Sequence, residues 1–389
     1  MNKEGLFLGV EEIITKKELE AKIKSGKKLK IKLGFDPTKP DLHLGHAVTL
    51  RKLKQFQDLG HTVIFLIGDF TTKIGDPSGR NTARPALSDA EIKKNAKTYF
   101  EQVGKVLDTK KCQVRSNSEW YSKMNFADII QVLSQVTLAQ VAEREDFKNR
   151  AKRGEDVGIH EIIYPIMQGY DSVILESNIE IGGNDQRLNM LMGREIQKKY
   201  GQPSQCVITM PLLIGTDGKR KMSKSFDNYI GLSDSPTNQF GKTMSIPDSI
   251  IENYLDLATD FDQSRIKTLK KELKGGRNPK QIKEIIAENI VKQYYGEKIA
   301  TKAKKDFISQ FQKKEFPDDI PTLKISGTFL LPALLLKTGA TNSGSEARRL
   351  IEQGGVKIDR AKLTDPEAEI TVYKGMVIQV GKRRFWKVE

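Results

Sequence analysis

The sequence predicts an α/β protein whose first part is a doubly wound parallel sheet, followed by a helical domain and a small α+β domain. Three observations lead there. Leu29, Ile31 and Leu33 alternate with lysines at period two, and Val48, Leu50, Leu53, Phe56 and Leu59 then recur at helical spacing up to Gly60. Thr62-Val-Ile-Phe-Leu-Ile67 is a continuous apolar run of the kind a strand buried on both faces requires, which completes a β-α-β unit. After Ser233 the pattern becomes wholly helical, and after about Ser326 short strands and glycine breaks return.

Residues 1–28 read as one or two short helices with solvated charge. Gly34, Pro37 and Pro40 break the first strand before the helix. The loop Gly68 to Arg80 is glycine-rich and carries Asp69 and Asp76 at the carboxyl end of the second strand, the edge where such sheets bind ligands. Residues 91–157 read as mostly amphipathic helix, an insertion between two halves of the sheet that carries the charged run Glu143 to Arg153. Ile179 to Gln186 ends a strand in two glycines and an acid, and VITMPLLI, 207–214, is another buried strand. Pro317 and Pro321 mark a linker. Beyond it, 330–339 is an apolar helix, Ser343-Gly-Ser-Glu346 a capping box, and 346–353 a helix ended by Gly354-Gly355. Strands follow at 356–358, 369–372 and 376–380. The expected domains are therefore 1–232, Rossmann-like, with the helical insertion near 91–157; 233–325, helical with the linker; and 326–389, small α+β.

A chain of 389 residues with 38% hydrophobic content supports a sizeable core in more than one domain. Its longest apolar run is too short to cross a bilayer, and its start lacks a basic segment leading into an apolar one, so the expectation is a cytoplasmic protein without a membrane anchor. Cys112 and Cys206 are far apart and form no CxxC, which predicts buried thiols and no disulfide or structural zinc. A net charge of +15 favours a polyanionic partner or reflects a lysine-rich proteome. Its placement helps decide, because Arg265 to Lys283 holds eight basic residues against the single acid Glu272.

The chemistry concentrates in three stretches. Asp41-Leu-His-Leu-Gly-His46 sets His43 and His46 at i and i+3 on the first turn of a helix, where free N–H groups and the helix dipole favour phosphate, and Gly45 leaves room for a ligand. Alone, such a pair is more often two surface histidines. Gly215 to Ser225 is a short basic loop whose Lys221 and Lys224 can reach a pyrophosphate leaving group, although a lone loop of this kind would be a solvated turn. Tyr164, Gln168 and Asp171 form one polar stripe at spacings of four and three among apolar neighbours; either a ligand or an internal network must satisfy it. Gly183 and Asp185 suit a closely packed adenine and ribose hydroxyls, or a plain turn. Lys382-Arg-Arg-Phe-Trp-Lys387 interleaves bases with aromatics, as phosphate contact and stacking would use.

Taken together, Gly34-Phe-Asp-Pro-Thr38, His43-Leu-Gly-His46 and Lys221-Met-Ser-Lys-Ser225 resemble the paired signatures of class I aminoacyl-tRNA synthetases, and within them the bacterial tyrosyl-tRNA synthetases. The resemblance covers nearly the whole chain. It implies a ligase that activates L-tyrosine with ATP to tyrosyl-adenylate and pyrophosphate, then charges tRNA(Tyr). The helical domain would bind the anticodon, and the tail is similar to a small ribosomal-protein-like RNA-binding fold. Implied for the chemistry are His43, His46, Lys221, Lys224 and Thr38; for ATP, Asp36, Gly45, Gly183, Asp185 and Met222. For tyrosine they are Asp76, Tyr164 and Gln168 at the α-ammonium, Asp171 at the phenol, and Gln186. Arg348, Arg349, Lys382, Arg383 and Arg384 are the tail residues implied for tRNA. No tightly bound cofactor is expected, Mg2+ arriving with ATP, and the expected assembly is a homodimer through the catalytic domain. Lys32 stands where the better-known branch has a tyrosine that touches the phenol, so the sequence looks like the second bacterial branch, with an intact KMSKS. The rival readings are a tryptophan-activating or other class I ATP-dependent ligase, and a non-catalytic RNA-binding paralogue.

Overall fold

The structure, a computed structural model, describes residues 3–38, 41–76, 87–142, 145–312, 320–381 and 384–389. Pro40, the end of the glycine-rich loop from Pro77 to Arg80, Glu143, Arg144, Pro317, Lys382 and Arg383 lie outside them. The chain divides into two compact units, 1–300 and 301–389.

The first unit is built on a six-stranded sheet: β1 (Glu12–Ile14), β2 (Lys30–Phe35), β3 (Thr62–Ile67), β4 (Cys112–Ser116), β5 (Ile179–Gly183) and β6 (Cys206–Met210). Their spatial order is β1-β6-β5-β2-β3-β4, parallel except for β1, which runs antiparallel to β6. From β2 the chain winds outward through β3 and β4, then returns to β5 and β6 on the other side. The order therefore reverses between β2 and β5, and a crevice opens beyond their carboxyl ends, at Phe35 and Gly183.

Around the sheet run α1 (Lys16–Lys24), α2 (Leu44–Asp58), the single turn α3 (Thr71–Ile74), α4 (Asp89–Val103), α5 (Ser118–Tyr121), α6 (Phe126–Leu133), α7 (Leu138–Ala142), α8 (Glu145–Lys152), α9 (Ile159–Leu175) and α10 (Arg187–Lys199). The apolar run of β3 is explained by its two faces. Val63 and Phe65 enter one core with Leu50, Leu53 and Phe56 of α2, while Ile64 and Leu66 enter another with Trp120, Tyr121, Met167 and Leu175. Each such side chain contributes on the order of 1.5–3 kcal/mol when fully buried. The helices after Ser233, α11 (Pro236–Met244), α12 (Ile251–Leu257), α13 (Gln263–Lys274) and α14 (Pro279–Tyr295), add Tyr254, Ile266, Ile286 and Ile290 to the first of these cores. Arg51 of α2 donates to the Ala258 carbonyl at 3.2 Å and to Gln293 Oε1 at 3.0 Å. Among the described residues no helix is long and apolar enough to cross a membrane.

Several expectations are corrected. Residues 91–157 are mostly helix as expected, but they are not solely an insertion between the sheet halves, since β4 lies within them and pairs with β3. As an edge strand with Val114 exposed, it lacks the apolar run that marks β3. Residues 1–28 hold β1 as well as helix, three residues being too short for a period to register. The strand expected over 207–214 stops at Met210, because Pro211 has no N–H for the ladder. Cys206 is buried as expected, whereas Cys112, at the edge, is partly exposed.

The division between units falls inside α15 (Glu297–Gln312). The second unit contains β7 (Thr322–Leu323), β8 (Gly327–Leu330), α16 (Leu331–Lys337), α17 (Gly344–Glu352), β9 (Val356–Ile358), β10 (Ala361–Leu363), β11 (Glu369–Val372), β12 (Val377–Val380) and β13 (Arg384–Val388). Five strands form a sheet in the order β10-β9-β12-β13-β7, and β11 pairs with β8. Leu334, Leu335, Ala347 and Ile351 of the two helices close on Val356, Ile378 and Val380. Ser343 caps α17 by accepting the Glu346 N–H at 3.2 Å, but Glu346 returns to the Asn342 N–H at 2.9 Å, one residue outside the expected box.

Candidate active site

The crevice at the β2/β5 reversal is a cleft of about 810 Å³. All fifteen residues named above for ATP, the amino acid and the chemistry line it: Asp36, Thr38, His43, Gly45, His46, Asp76, Tyr164, Gln168, Asp171, Gly183, Asp185, Gln186, Lys221, Met222 and Lys224. They come from four strand ends and loops and from two helices, so their convergence is a property of the fold and not of any local run.

His43 is the N-cap of α2, and its ring lies 3.8 Å from that of His46, centroid to centroid. The His43 backbone N–H donates to His46 Nδ1 at 3.2 Å. That nitrogen is therefore unprotonated, and the neutral ring carries its proton on Nε2 as a donor. Burial, reinforced by the Lys224 and Lys221 charges, pushes His46 down to about 3. Burial also holds His43 well below the usual imidazole value, helped by His46 and both lysines. Both rings are thus neutral hydrogen-bond donors at neutral pH. The helix start is tied to the chain beyond the basic loop: Leu44 N–H donates to the Ile230 carbonyl at 3.0 Å, and Leu232 N–H to the Leu42 carbonyl at 2.8 Å. A Cβ at Gly45 would lie 3.0 Å from His43 Nδ1 and 3.6 Å from Met222 Cβ, so the glycine lets the two motifs meet as well as leaving room for a ligand.

The basic loop is held as a hairpin. Met222 N–H donates to the Leu213 carbonyl at 2.7 Å. Buried Asn228 accepts from Ser223 N–H at 2.8 Å and donates to Asp217 Oδ2 at 3.0 Å. Lys221 pairs with Asp185 at 2.6 Å, which spans the mouth from the β6 side to the end of β5. Lys224 donates to the Tyr99 hydroxyl at 3.1 Å and lies 4.8 Å from the centre of that ring.

At the other end, Tyr164 donates to Asp36 Oδ2 and Thr71 to Asp36 Oδ1, each at 2.9 Å. Gly68 makes this possible, since a Cβ there would come within 2.1 Å of Asp36 Oδ1. Gln186 donates to Asp76 Oδ2 at 2.8 Å, and Gln168 Nε2 to Glu180 Oε1 at 3.0 Å. Asp171, almost fully buried, accepts from Trp120 Nε1 at 3.1 Å and Asn117 Nδ2 at 3.4 Å. Burial pushes its carboxyl up to about 7, while the Lys32 charge and neighbouring donors act in the opposite sense. The polar stripe on α9 is therefore partly satisfied inside the protein and still faces the cleft.

Sequence reasoning did not find Thr71, Tyr99, Asn117, Trp120, Glu180 or Asn228. Only Glu180, a lone acid in the apolar run of β5, carried a local signal. In the second unit, Arg348 pairs with Glu367, Arg349 is exposed, and Arg384 donates to the Ala340 carbonyl at 2.7 Å. The closing aromatics are not displayed for stacking as expected: Phe385 is buried in β13 and Trp386 packs against the second core. Lys382 and Arg383 lie outside the described residues.

Comparison with known proteins points to one family. Residues 24–312 match the family described as tRNA synthetases class I (W and Y). The chain is 48% identical over 380 residues to a tyrosine–tRNA ligase of Thermotoga maritima, covering 97% of this chain and 95% of the relative. It is 49% identical over 385 residues to one of Burkholderia lata, covering 98% and 93%. Among solved structures it shares the fold of a tyrosyl-tRNA synthetase from Archaeoglobus fulgidus crystallised with L-tyrosine, at TM-score 0.62 and 23% identity over 77% of this chain and 97% of that one. A C-terminally truncated mitochondrial tyrosyl-tRNA synthetase of Aspergillus nidulans gives TM-score 0.64 at 21% identity, covering 79% and 92%. A chain matched at this identity over nearly its full length, with both signature motifs meeting in one cleft, belongs to the class I tRNA synthetases of the tryptophan and tyrosine family, among the tyrosine–tRNA ligases.

Proposed function

We propose that the cleft activates L-tyrosine with ATP and passes the tyrosyl group to tRNA(Tyr). The observation that carries this reading is the meeting of a neutral histidine pair and two lysines at one end of the cleft with a buried carboxylate, Asp171, at the other. In the proposed reaction a tyrosine carboxylate oxygen bonds to the α-phosphorus as the bond to the β-phosphate oxygen breaks. Pyrophosphate leaves, and a terminal ribose hydroxyl of the tRNA then displaces AMP. A carboxylate needs no general base, so the protein contributes position and electrostatics. His43 and His46 donate to phosphate oxygens, Lys221 and Lys224 stabilise charge on the departing pyrophosphate, and Thr38 lies among them. Asp36, Gly45, Gly183, Asp185 and Met222 surround the nucleotide, and Lys221 exchanges Asp185 for phosphate when ATP enters. Tyr164 and Gln168 present oxygens to the α-ammonium, Asp76 and Gln186 flank it, and Asp171 accepts the phenol. Mg2+ is proposed to enter as part of the ATP substrate.

The basic second unit, with exposed Arg348 and Arg349, and the lysine-rich α13 are proposed to contact tRNA in the cytoplasm. We also propose a homodimer through the first unit. Phe126 and Ile130 of α6, Leu138 of α7 and Ile159 of α9 are exposed on neighbouring helices, and at 79% and 76% exposure Phe126 and Ile159 are costly to leave in water. Tyrosine-dependent ATP–pyrophosphate exchange tests the reading. Exchange driven by another amino acid and not by tyrosine would overturn it.

A further inference from the structure

Lys32 and Glu180 are opposed residues on β2 and β5, at the strand reversal, in the floor of the cleft. Their side chains are 0% and 1% exposed and pair at 3.0 Å. The Lys32 ammonium also donates to Ser172 Oγ at 2.7 Å and to the Gln168 backbone carbonyl at 3.0 Å, which occupies its three hydrogens. Glu180 accepts from the Gln168 side chain on Oε1 at 3.0 Å and from Gln205 on Oε2. Gln168 is therefore gripped at both ends by one ion pair, its carbonyl by the lysine and its amide nitrogen by the glutamate.

This grip has a chemical consequence. Because the Gln168 Nε2 is committed to Glu180, the amide cannot rotate end for end, and its Oε1 is the atom left to accept a hydrogen bond from a cation in the cleft. We propose that Lys32 and Glu180 are positioning residues that fix the Gln168 amide so that its oxygen receives the α-ammonium of the substrate. The proposal rests on the reading of the cleft as a tyrosine-activating site. Stability alone does not account for the pair, since a buried ion pair gains little over a well-packed apolar one. Packing in the cleft floor would be served as well by two aliphatic side chains.

The test is the double variant Lys32→Gln/Glu180→Gln, which removes both charges together and keeps polar atoms in the space, so neither charge is left buried alone. A neutral amide at position 180 can offer either its oxygen or its nitrogen, and the direction of Gln168 is lost. The KM for tyrosine in pyrophosphate exchange is expected to rise about tenfold, the worth of one hydrogen bond to a charged group. The KM for ATP should stay within about twofold, and so should the inhibition constant of 3-(4-hydroxyphenyl)propionate, which lacks the ammonium, when both are measured above the Asp171 titration so that loss of the Lys32 charge leaves that carboxylate ionised. An unchanged tyrosine KM would overturn the proposal, and so would equal loss of tyrosine and the desamino compound, which would mark a structural role. If the double glutamine chain does not fold, Lys32→Met/Glu180→Met is measured in the same way. Wild-type exchange without tyrosine dependence would instead sink the reading of the cleft, so the two failures are told apart.

Discussion

The Tyr164 hydroxyl donates to Asp36 Oδ2 at 2.9 Å, joining the polar stripe of α9 to the end of β2 across the floor of the cleft. With its hydrogen given to a carboxylate, the hydroxyl presents lone pairs to the cleft, as an ammonium acceptor should. Tyr164→Phe is therefore expected to raise the KM for tyrosine about tenfold while leaving the desamino compound unaffected. Steady-state exchange kinetics check it, and equal weakening of both would show that the ring only packs.

Lys224 sits against Tyr99 in a loop pinned by Asn228. Its proposed target, the pyrophosphate, gains charge only as the reaction proceeds, so Lys224→Ala should lower kcat for adenylate formation about 100-fold or more. The KM for tyrosine should change little. If only that KM rises, the lysine is not acting on the phosphates.

The histidine and lysine motifs were legible because each is a run of consecutive residues whose chemistry is local. The stripe on α9 was legible for the same reason, the period of a helix putting Tyr164, Gln168 and Asp171 on one side. What could not be read was the set of partners. Tyr99 meets Lys224 across 125 positions of sequence and Tyr164 meets Asp36 across 128, and no spacing rule reaches that far. Lys32 shows the other limit. Alternation with Ile31 and Leu33 put it on the polar side of a strand, but the sheet is covered on both faces, so that side is interior and the lysine is buried. β1 and β4 escaped notice because edge strands need neither length nor a continuous apolar run.

Removal of residues 320–389 should leave pyrophosphate exchange largely intact and impair charging of tRNA. Among the described residues the core beneath the cleft contains none beyond the first unit, and the cut precedes β7, which pairs with β13 and would be orphaned by a later one. Exchange and aminoacylation measured side by side decide it, and parallel loss of both would show that the first unit needs the second to fold.

Asp171 supplies a pH dependence whose sign can be worked out. Its carboxyl is pushed up to about 7 from an ordinary 3.8, chiefly by burial. Between those values the folded chain holds a proton that the unfolded chain has lost. This group's contribution to stability is therefore largest below the unfolded value and falls as pH rises through the window to about 7. Tyrosine recognition runs the other way, because the ionised carboxylate is acceptor-only and takes the phenol hydrogen more strongly than the neutral carboxyl, which must also place a hydrogen of its own. The kcat/KM for tyrosine should rise with pH and level off above about 7. The histidines cannot supply this limb, since His46 lies at about 3 and His43 is also held well below its usual value. Asp171→Asn should abolish the limb, lower tyrosine activation and narrow the preference over phenylalanine. Phenylalanine brings no donor to Asp171, which then keeps Trp120 and Asn117, and the missing hydrogen bond to a buried carboxylate is a form of rejection for which tyrosine-specific synthetases are the established example. A profile unchanged by Asp171→Asn would assign the limb to another group and remove Asp171 from the recognition of the phenol.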